Sequence, residues 1–97
     1  MNAIPLNASI YGDTPTPNPA RAHTLEIMLE NEPGALARVV GLFSGRGYNI
    51  DELHVAPTPH DKNISRLVII STGTDHVIEQ IKLQVDRLIP VRSVVEI

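Results

Sequence analysis

The apolar positions change period early in the chain. Leu25, Ile27 and Leu29 alternate with Thr24, Glu26, Met28 and Glu30, the period of two expected of a half-buried strand. Leu36, Val39, Val40 and Phe43 then recur at i, i+3, i+4 and i+7, one face of a helix. Between the two patterns stands Asn-Glu-Pro-Gly, residues 31–34. Pro33 suits the first helical turn, where a missing N–H costs nothing, and Asn31 or Glu32 stands where a cap belongs. "SGRG" stops the helix, with Gly47 as the left-handed residue just past its end.

Tyr48 to Thr58 reads as a second strand carrying Ile50, Leu53 and Val55. The uneven spacing of Ile50 and Leu53 predicts a bulge near Asp51–Glu52. "APTPHDKN" is a loop, and "ISRLVIIST" is an apolar, β-branched strand. Thr74 caps a second helix with Asp75 in its first turn; Ile78, Ile81, Val85 and Leu88 form its buried face, and Leu83 falls off it. Pro90 lies just beyond, and Val91 to Ile97 reads as a last strand. The order is β-α-β-β-α-β. With right-handed crossovers it gives the α+β ferredoxin-like arrangement, a four-stranded antiparallel sheet with both helices on one face. The second sheet face then lacks cover, which predicts association or docking.

The remaining numbers narrow the function classes. Ninety-seven residues allow one domain, and a domain this small buries only about 60% of its unfolded surface, so association is a common support. Four of the eight prolines fall in residues 1–22; that segment is expected to be a flexible extension, with the domain at 23–97. The chain has no cysteine, which excludes disulfides, thiolate metal sites and CxxC redox pairs. Its net charge of −3 argues against nucleic acid and anionic membranes as partners. No basic residue precedes Arg21 and no apolar run approaches the roughly 20 residues of a membrane span, so a cytoplasmic protein is expected.

Candidate chemistry is sparse. His23, His54, His60 and His76 match no metal-ligand spacing, and no metal site is expected. The Gly-x-Gly of "GRGYN" ends a helix instead of opening one, which opposes a dinucleotide site. Ser44 and Ser65 lack an elbow motif. An RNA-recognition surface needs exposed aromatics on the central strands, and Phe43 belongs to a helix core. No catalytic residue is expected. What remains is the corner at Asn31–Leu36. A helix start exposes unpaired N–H groups and about half a unit of positive charge, a natural seat for a carboxylate. Gly34 would allow close approach to the backbone. The plainer alternative is that Asn31 merely caps the helix and Gly34 merely eases the turn.

"LENEPGALARVVGLFSGRGYNIDELHVAPT" resembles the start of the small regulatory subunit of acetohydroxyacid synthase (acetolactate synthase), and "ISRLVIIS" and "HVIEQIKLQVDRLIPVRSVVEI" are similar to its continuation. The likeness covers Thr24 to Ile97. The Asn-Glu-x-Gly-x-Leu stretch alone points to the broad ACT-domain superfamily; "GLFSGRGYNI" makes it specific. The resemblance implies a non-catalytic, allosteric subunit of branched-chain amino acid biosynthesis. Such a subunit binds a branched-chain amino acid, usually valine, raises the activity of the catalytic large subunit and confers feedback inhibition. It implies a homodimer paired side by side, with the effector at the interface. Asn31, Gly34, Ala35 and Leu36 would hold the effector's polar end from one chain. Asn49 and Ile50 would close the site from the partner chain, with Ala56 as a further candidate. Thiamine diphosphate, Mg and FAD would belong to the catalytic subunit, and this chain would carry no cofactor.

The residues fit such a ligand: helix-start amides for a carboxylate, the side-chain oxygen of Asn31 or Asn49 for an ammonium group, and Leu36 and Ile50 for an apolar slot. A slot of this kind separates ligands differing by one methylene by only about 1–3 kcal/mol, so valine, leucine and isoleucine all remain candidates. Many members carry a second domain after this one, and the sequence stops at Ile97; it is either a short single-domain version or part of a longer subunit. A different class remains open: an ACT-type assembly or sensor module attached to another partner.

Overall fold

The computed structural model describes residues 19–97. Six elements follow in the order β1 (Arg21–Glu30), α1 (Ala35–Gly45), β2 (Glu52–Pro57), β3 (Ile64–Gly73), α2 (Asp75–Asp86) and β4 (Val91–Glu96). The sheet order is β2-β3-β1-β4 and every pairing is antiparallel. This is the ferredoxin-like arrangement that the βαββαβ order predicts: each crossover skips a place, so the two βαβ halves interleave. Of the extension expected over 1–22, residues 1–18 lie outside the described part. Arg21 and Ala22 belong to β1, paired with Gly73 and Thr72.

One face of the sheet packs the core. Leu25, Ile27 and Leu29 of β1 and Leu67 and Ile69 of β3 are buried against Ala35, Val39 and Phe43 of α1 and Ile78, Ile81 and Val85 of α2. Leu25 faces Ile69 and Ile27 faces Leu67 across the β1–β3 ladder. Alternation therefore puts Glu26, Met28, Val68 and Ile70 on the opposite, half-covered face. Glu26 and Arg66 form an ion pair there.

The second helix follows the sequence closely. Thr74 Oγ1 accepts from Val77 N over 3.2 Å, Asp75 stands in the first turn, and Leu83 is exposed. The first helix departs at its start. Glu32 O accepts from Ala35 N at 3.1 Å, and Gly34 sits at φ 80°, ψ −4°. That is a type II turn, with proline at its second position and glycine at its third. Pro33 therefore precedes the helix, and neither Asn31 nor Glu32 caps it; the N-cap is Gly34, with no side-chain bond. Asn31 is drawn to the neighbouring loop, its N–H donating to Asn63 O at 2.6 Å.

The apolar stripe of α1 also divides. Val39 and Phe43 reach the core together with Ala35, while Leu36 is 39% exposed and Val40 half-buried. At the other end, Gly47 N donates to Ser44 O and Tyr48 N to Phe43 O, with Gly47 at φ 74°. This is the paired-bond stop expected of a left-handed glycine.

Two expectations about β2 change. The strand begins at Glu52, not Tyr48, and its pairing with β3 runs without a bulge from Glu52–Ile70 to Pro57–Ser65. The odd Ile50–Leu53 spacing arises because Ile50 lies before the strand and packs onto the core from a loop. The register shift in this sheet falls between β1 and β4, at Met28/Leu29. All six residues of β2 are exposed. Among the described residues, no helix is long and apolar enough to cross a membrane.

Candidate functional site

The split stripe of α1 creates a cleft. Leu36 and Val40 form one wall, Val55 of the uncovered edge strand the other, and Leu29 and Leu67 the floor. Asn31, Glu32, Gly34, Ala35 and Ala37 close its polar end. Its volume is about 520 Å³, within the range of small-molecule sites.

The polar end is an unneutralised helix start. The first helical bond runs from Arg38 N to Gly34 O at 3.0 Å; among the described residues, the N–H groups of Leu36 and Ala37 have no acceptor. No acidic side chain stands in the first turn and no side chain caps it. These donors and the helix dipole favour an anion. Glu32 brings the opposite charge to the rim, where Arg38 Nη1 approaches its carboxylate at 3.4 Å. Asn31 Nδ2 donates to Lys62 O at 3.5 Å, which turns the side-chain oxygen away from that bond and leaves it able to accept. Gly34 is demanded by its positive φ; a Cβ built there meets nothing within 4 Å, so the backbone is open on that side.

Of the residues named from the sequence, Asn31, Gly34, Ala35 and Leu36 meet at this cleft. Ala35 borders it while belonging to the buried core cluster. Asn49, Ile50 and Ala56 of the same chain do not line it. Asn49 lies beyond the far end of α1, with Nδ2 donating to Asp51 Oδ1 and its backbone oxygen accepting from Ser71 Oγ. Ala56 pairs with Arg66 on the helix-free face, which turns it away from the cleft. Sequence reasoning missed Val40 and Val55 as cleft walls and Leu29 and Leu67 as its floor. The signal for Val40 was present, because it follows Leu36 by four residues and shares its side of the helix.

The four-stranded βαββαβ sheet, with an uncapped β1–α1 corner and an apolar cleft beside a bare edge strand, has the architecture of an ACT domain. The model of the AHAS small subunit-like ACT domain family matches residues 25–93. The chain belongs to that family. It is 58% identical over 73 residues to the acetolactate synthase small subunit of Buchnera aphidicola subsp. Baizongia pistaciae, covering 75% of this chain and 45% of that protein. It is 52% identical, again over 73 residues, to the acetolactate synthase isozyme 3 small subunit of Escherichia coli, covering 75% and 44%. The crystal structure of the acetolactate synthase small subunit from Thermotoga maritima superposes with a TM-score of 0.73 at 37% identity, over 78% of this chain and 47% of that one. The chain thus spans a little under half the length of these relatives. The ACT domain of a GTP pyrophosphokinase from Chlorobium tepidum, at 13% identity and a TM-score of 0.68, shares the fold.

Proposed function

We infer that this chain is the effector-sensing part of a regulatory acetolactate synthase subunit, acting in the cytoplasm. It binds a branched-chain amino acid, valine foremost, where two copies meet. It raises the activity of the catalytic large subunit and confers feedback inhibition on it. The observation that carries this reading is the α1 start: unpartnered Leu36 and Ala37 amides open directly onto an apolar cleft. A branched-chain zwitterion matches both halves of that site. Its carboxylate seats on the amides, its ammonium on the Asn31 side-chain oxygen, and its side chain between Leu36, Val40 and Val55.

The geometry also supports a site completed by a second copy. β2 is a bare sheet edge with exposed Leu53 and Val55, and an unpaired apolar edge invites a further strand. A two-fold axis beside β2 joins two such edges antiparallel. The partner's Asn49–Glu52 segment then runs beside Pro57, whose ladder neighbours are Ser65 and, beyond it, Leu29. Leu29 and Ser65 line the cleft. Pairing at this edge thus brings Asn49 and Ile50 of one copy to the open side of the other's cleft. The coupling needed between effector and enzyme is modest, about 1–3 kcal/mol.

Calorimetric titration of valine, leucine and isoleucine into the purified chain tests the site, alongside acetolactate formation by the cognate large subunit with and without valine. Saturable binding together with valine-sensitive stimulation is expected. A dimeric chain that binds none of the three at millimolar concentration overturns the effector assignment.

A further inference from the structure

The segment from Asn49 to Asp51, between α1 and β2, belongs to neither helix nor strand, yet hydrogen bonds hold it closely. Asn49 O accepts from the hydroxyl of Ser71 at 2.5 Å, and Ser71 is buried. Asp51 N donates to Ile70 O at 2.7 Å. The Asp51 carboxylate takes a bond on each oxygen: Asn49 Nδ2 donates to Oδ1 at 2.5 Å, and Thr72 Oγ1 donates to Oδ2 at 2.7 Å. Ile50, between the two, packs onto the core. The segment is thus tied to the consecutive residues Ile70, Ser71 and Thr72 of β3 before β2 begins at Glu52.

This clasp decides which end of the Asn49 amide is offered outward. An ionised carboxylate only accepts hydrogen bonds, so the amide nitrogen is the end that faces Asp51. The amide oxygen is then turned away from the carboxylate. Asn49 is exposed, and its Oδ1 receives no hydrogen bond among the described residues. A free asparagine presents donor and acceptor alike; this one presents an acceptor. Locking the rotamer of a group through a second side chain is how a binding site is held ready for its ligand.

We propose that Asp51, braced by Thr72, is a positioning residue for effector recognition. It fixes Asn49 so that the side-chain oxygen of one copy receives the ammonium group of an amino acid bound in the other copy's cleft. The site thereby selects an α-amino acid over the α-oxo acid of the same carbon skeleton. The inference rests on the effector-sensing reading above, in which Asn49 of one copy reaches the open side of the other's cleft. An ammonium group carries three donors, and the Asn31 oxygen meets only one of them. The Asn49 oxygen meets another, and the Asp51 charge behind the amide favours a cation. An α-oxo acid offers a carbonyl at that position, so both asparagine oxygens would face an acceptor and stay unpaired. A site built to bond an N–H group rejects a ligand without it far more strongly than an apolar slot separates side chains of different length. The Leu36–Val40–Val55 slot cannot make this distinction, because valine and its oxo acid share one side chain.

Calorimetry on the full chain compares valine with α-ketoisovalerate, which has the same carbon skeleton and a carbonyl in place of the ammonium group. Asp51→Asn keeps the shape but can donate to Asn49 Oδ1, which frees the Asn49 amide to turn over. Thr72→Val keeps the shape and removes the bracing bond. Both positions are exposed, so folding is expected to survive; urea midpoints and sedimentation are measured in parallel. The original chain is expected to bind α-ketoisovalerate at least about a hundredfold more weakly than valine. Asp51→Asn should lose about tenfold or more in valine affinity with α-ketoisovalerate unchanged, and Thr72→Val should narrow the ratio by a smaller factor. A role confined to loop or dimer stability would weaken both ligands alike. Equal losses for the two ligands, or unchanged valine binding by Asp51→Asn, overturn the positioning role and leave the effector reading standing. An original chain that binds both ligands equally overturns it as well. An original chain that binds no valine takes both readings down before any variant is made. Should Asp51→Asn fail to fold, the ratio in Thr72→Val decides.

Discussion

Tyr48 N donates to the carbonyl of Phe43 over 2.8 Å, and the two rings meet edge to face with centroids 6.2 Å apart. The backbone bond closes the end of α1, and the ring contact anchors that end to the core. Both depend on Gly47, whose φ of 74° turns the chain between them. A Cβ added at Gly47 meets nothing within 4 Å, so the cost of Gly47→Ala is purely conformational, about 1–2 kcal/mol. A lowered urea midpoint with an unchanged m-value is the expected result. An unchanged midpoint would mean that the turn adapts without strain.

Gly34→Asp puts a carboxylate beside the free amides of Leu36 and Ala37, where it competes with the ligand's own. Valine affinity is expected to fall by at least about tenfold, equivalent to roughly 1.4 kcal/mol. Gly34→Ala separates charge from backbone strain: open space surrounds a Cβ there, and the loss should be smaller. Equal losses in calorimetry would show that turn geometry, not charge, controls the site.

Asn49→Ala should also weaken valine binding, although Asn49 is remote from the cleft of its own chain. Mixing it with Gly34→Asp chains then restores sites, because a mixed dimer joins one intact cleft to one intact Asn49. Random pairing of two copies restores about a quarter of all sites. Calorimetry that recovers no sites from the mixture would place Asn49 outside the ligand's reach.

Val55 is 48% exposed on the unpaired β2 edge. Val55→Lys puts a charge in the middle of that edge, a device that proteins use to block strand pairing. Sedimentation should shift from dimer to monomer, with valine binding lost as well. A dimer that persists unchanged argues for self-association through another surface.

His23 Nδ1 donates to Glu96 Oε2 at 2.6 Å, and Nε2 lies 3.4 Å from Asp75 Oδ1. The ring is buried, and it joins β1 to the end of β4 and the start of α2. His23→Ala removes a charge-assisted contact and leaves a void, with an expected loss of about 1.5–3 kcal/mol in urea denaturation. The exposed His54–Glu52 pair provides the control, where His54→Ala should change stability by less than about 0.5 kcal/mol. Equal effects of the two substitutions would show that burial of the His23 pair contributes nothing.

What the sequence determined by itself was local and periodic. Alternation in Leu25–Leu29, the Thr74 cap, the Gly47 stop and the Ile78–Ile81–Val85 face each follow from the conformational preferences of a few consecutive residues, and each stands where those preferences put it. Element order then left one economical topology. Family membership was legible too, since the Asn-Glu-Pro-Gly corner and "GRGYNI" are contiguous motifs. Tertiary structure decided how those pieces share surface. Periodicity states that Leu36, Val39, Val40 and Phe43 lie along one side of α1, but not how that side is turned over the sheet. Packing took Val39 and Phe43 into the core and left Leu36 and Val40 facing Val55 across a cleft. Likewise, Asn31 was a cap by composition and is none in the fold, because pairing with Asn63 fixes its backbone and the Pro33–Gly34 turn separates it from the helix. The uncapped start and the apolar cleft both arise from contacts distant in sequence, so their meeting was settled only when the chain closed on itself.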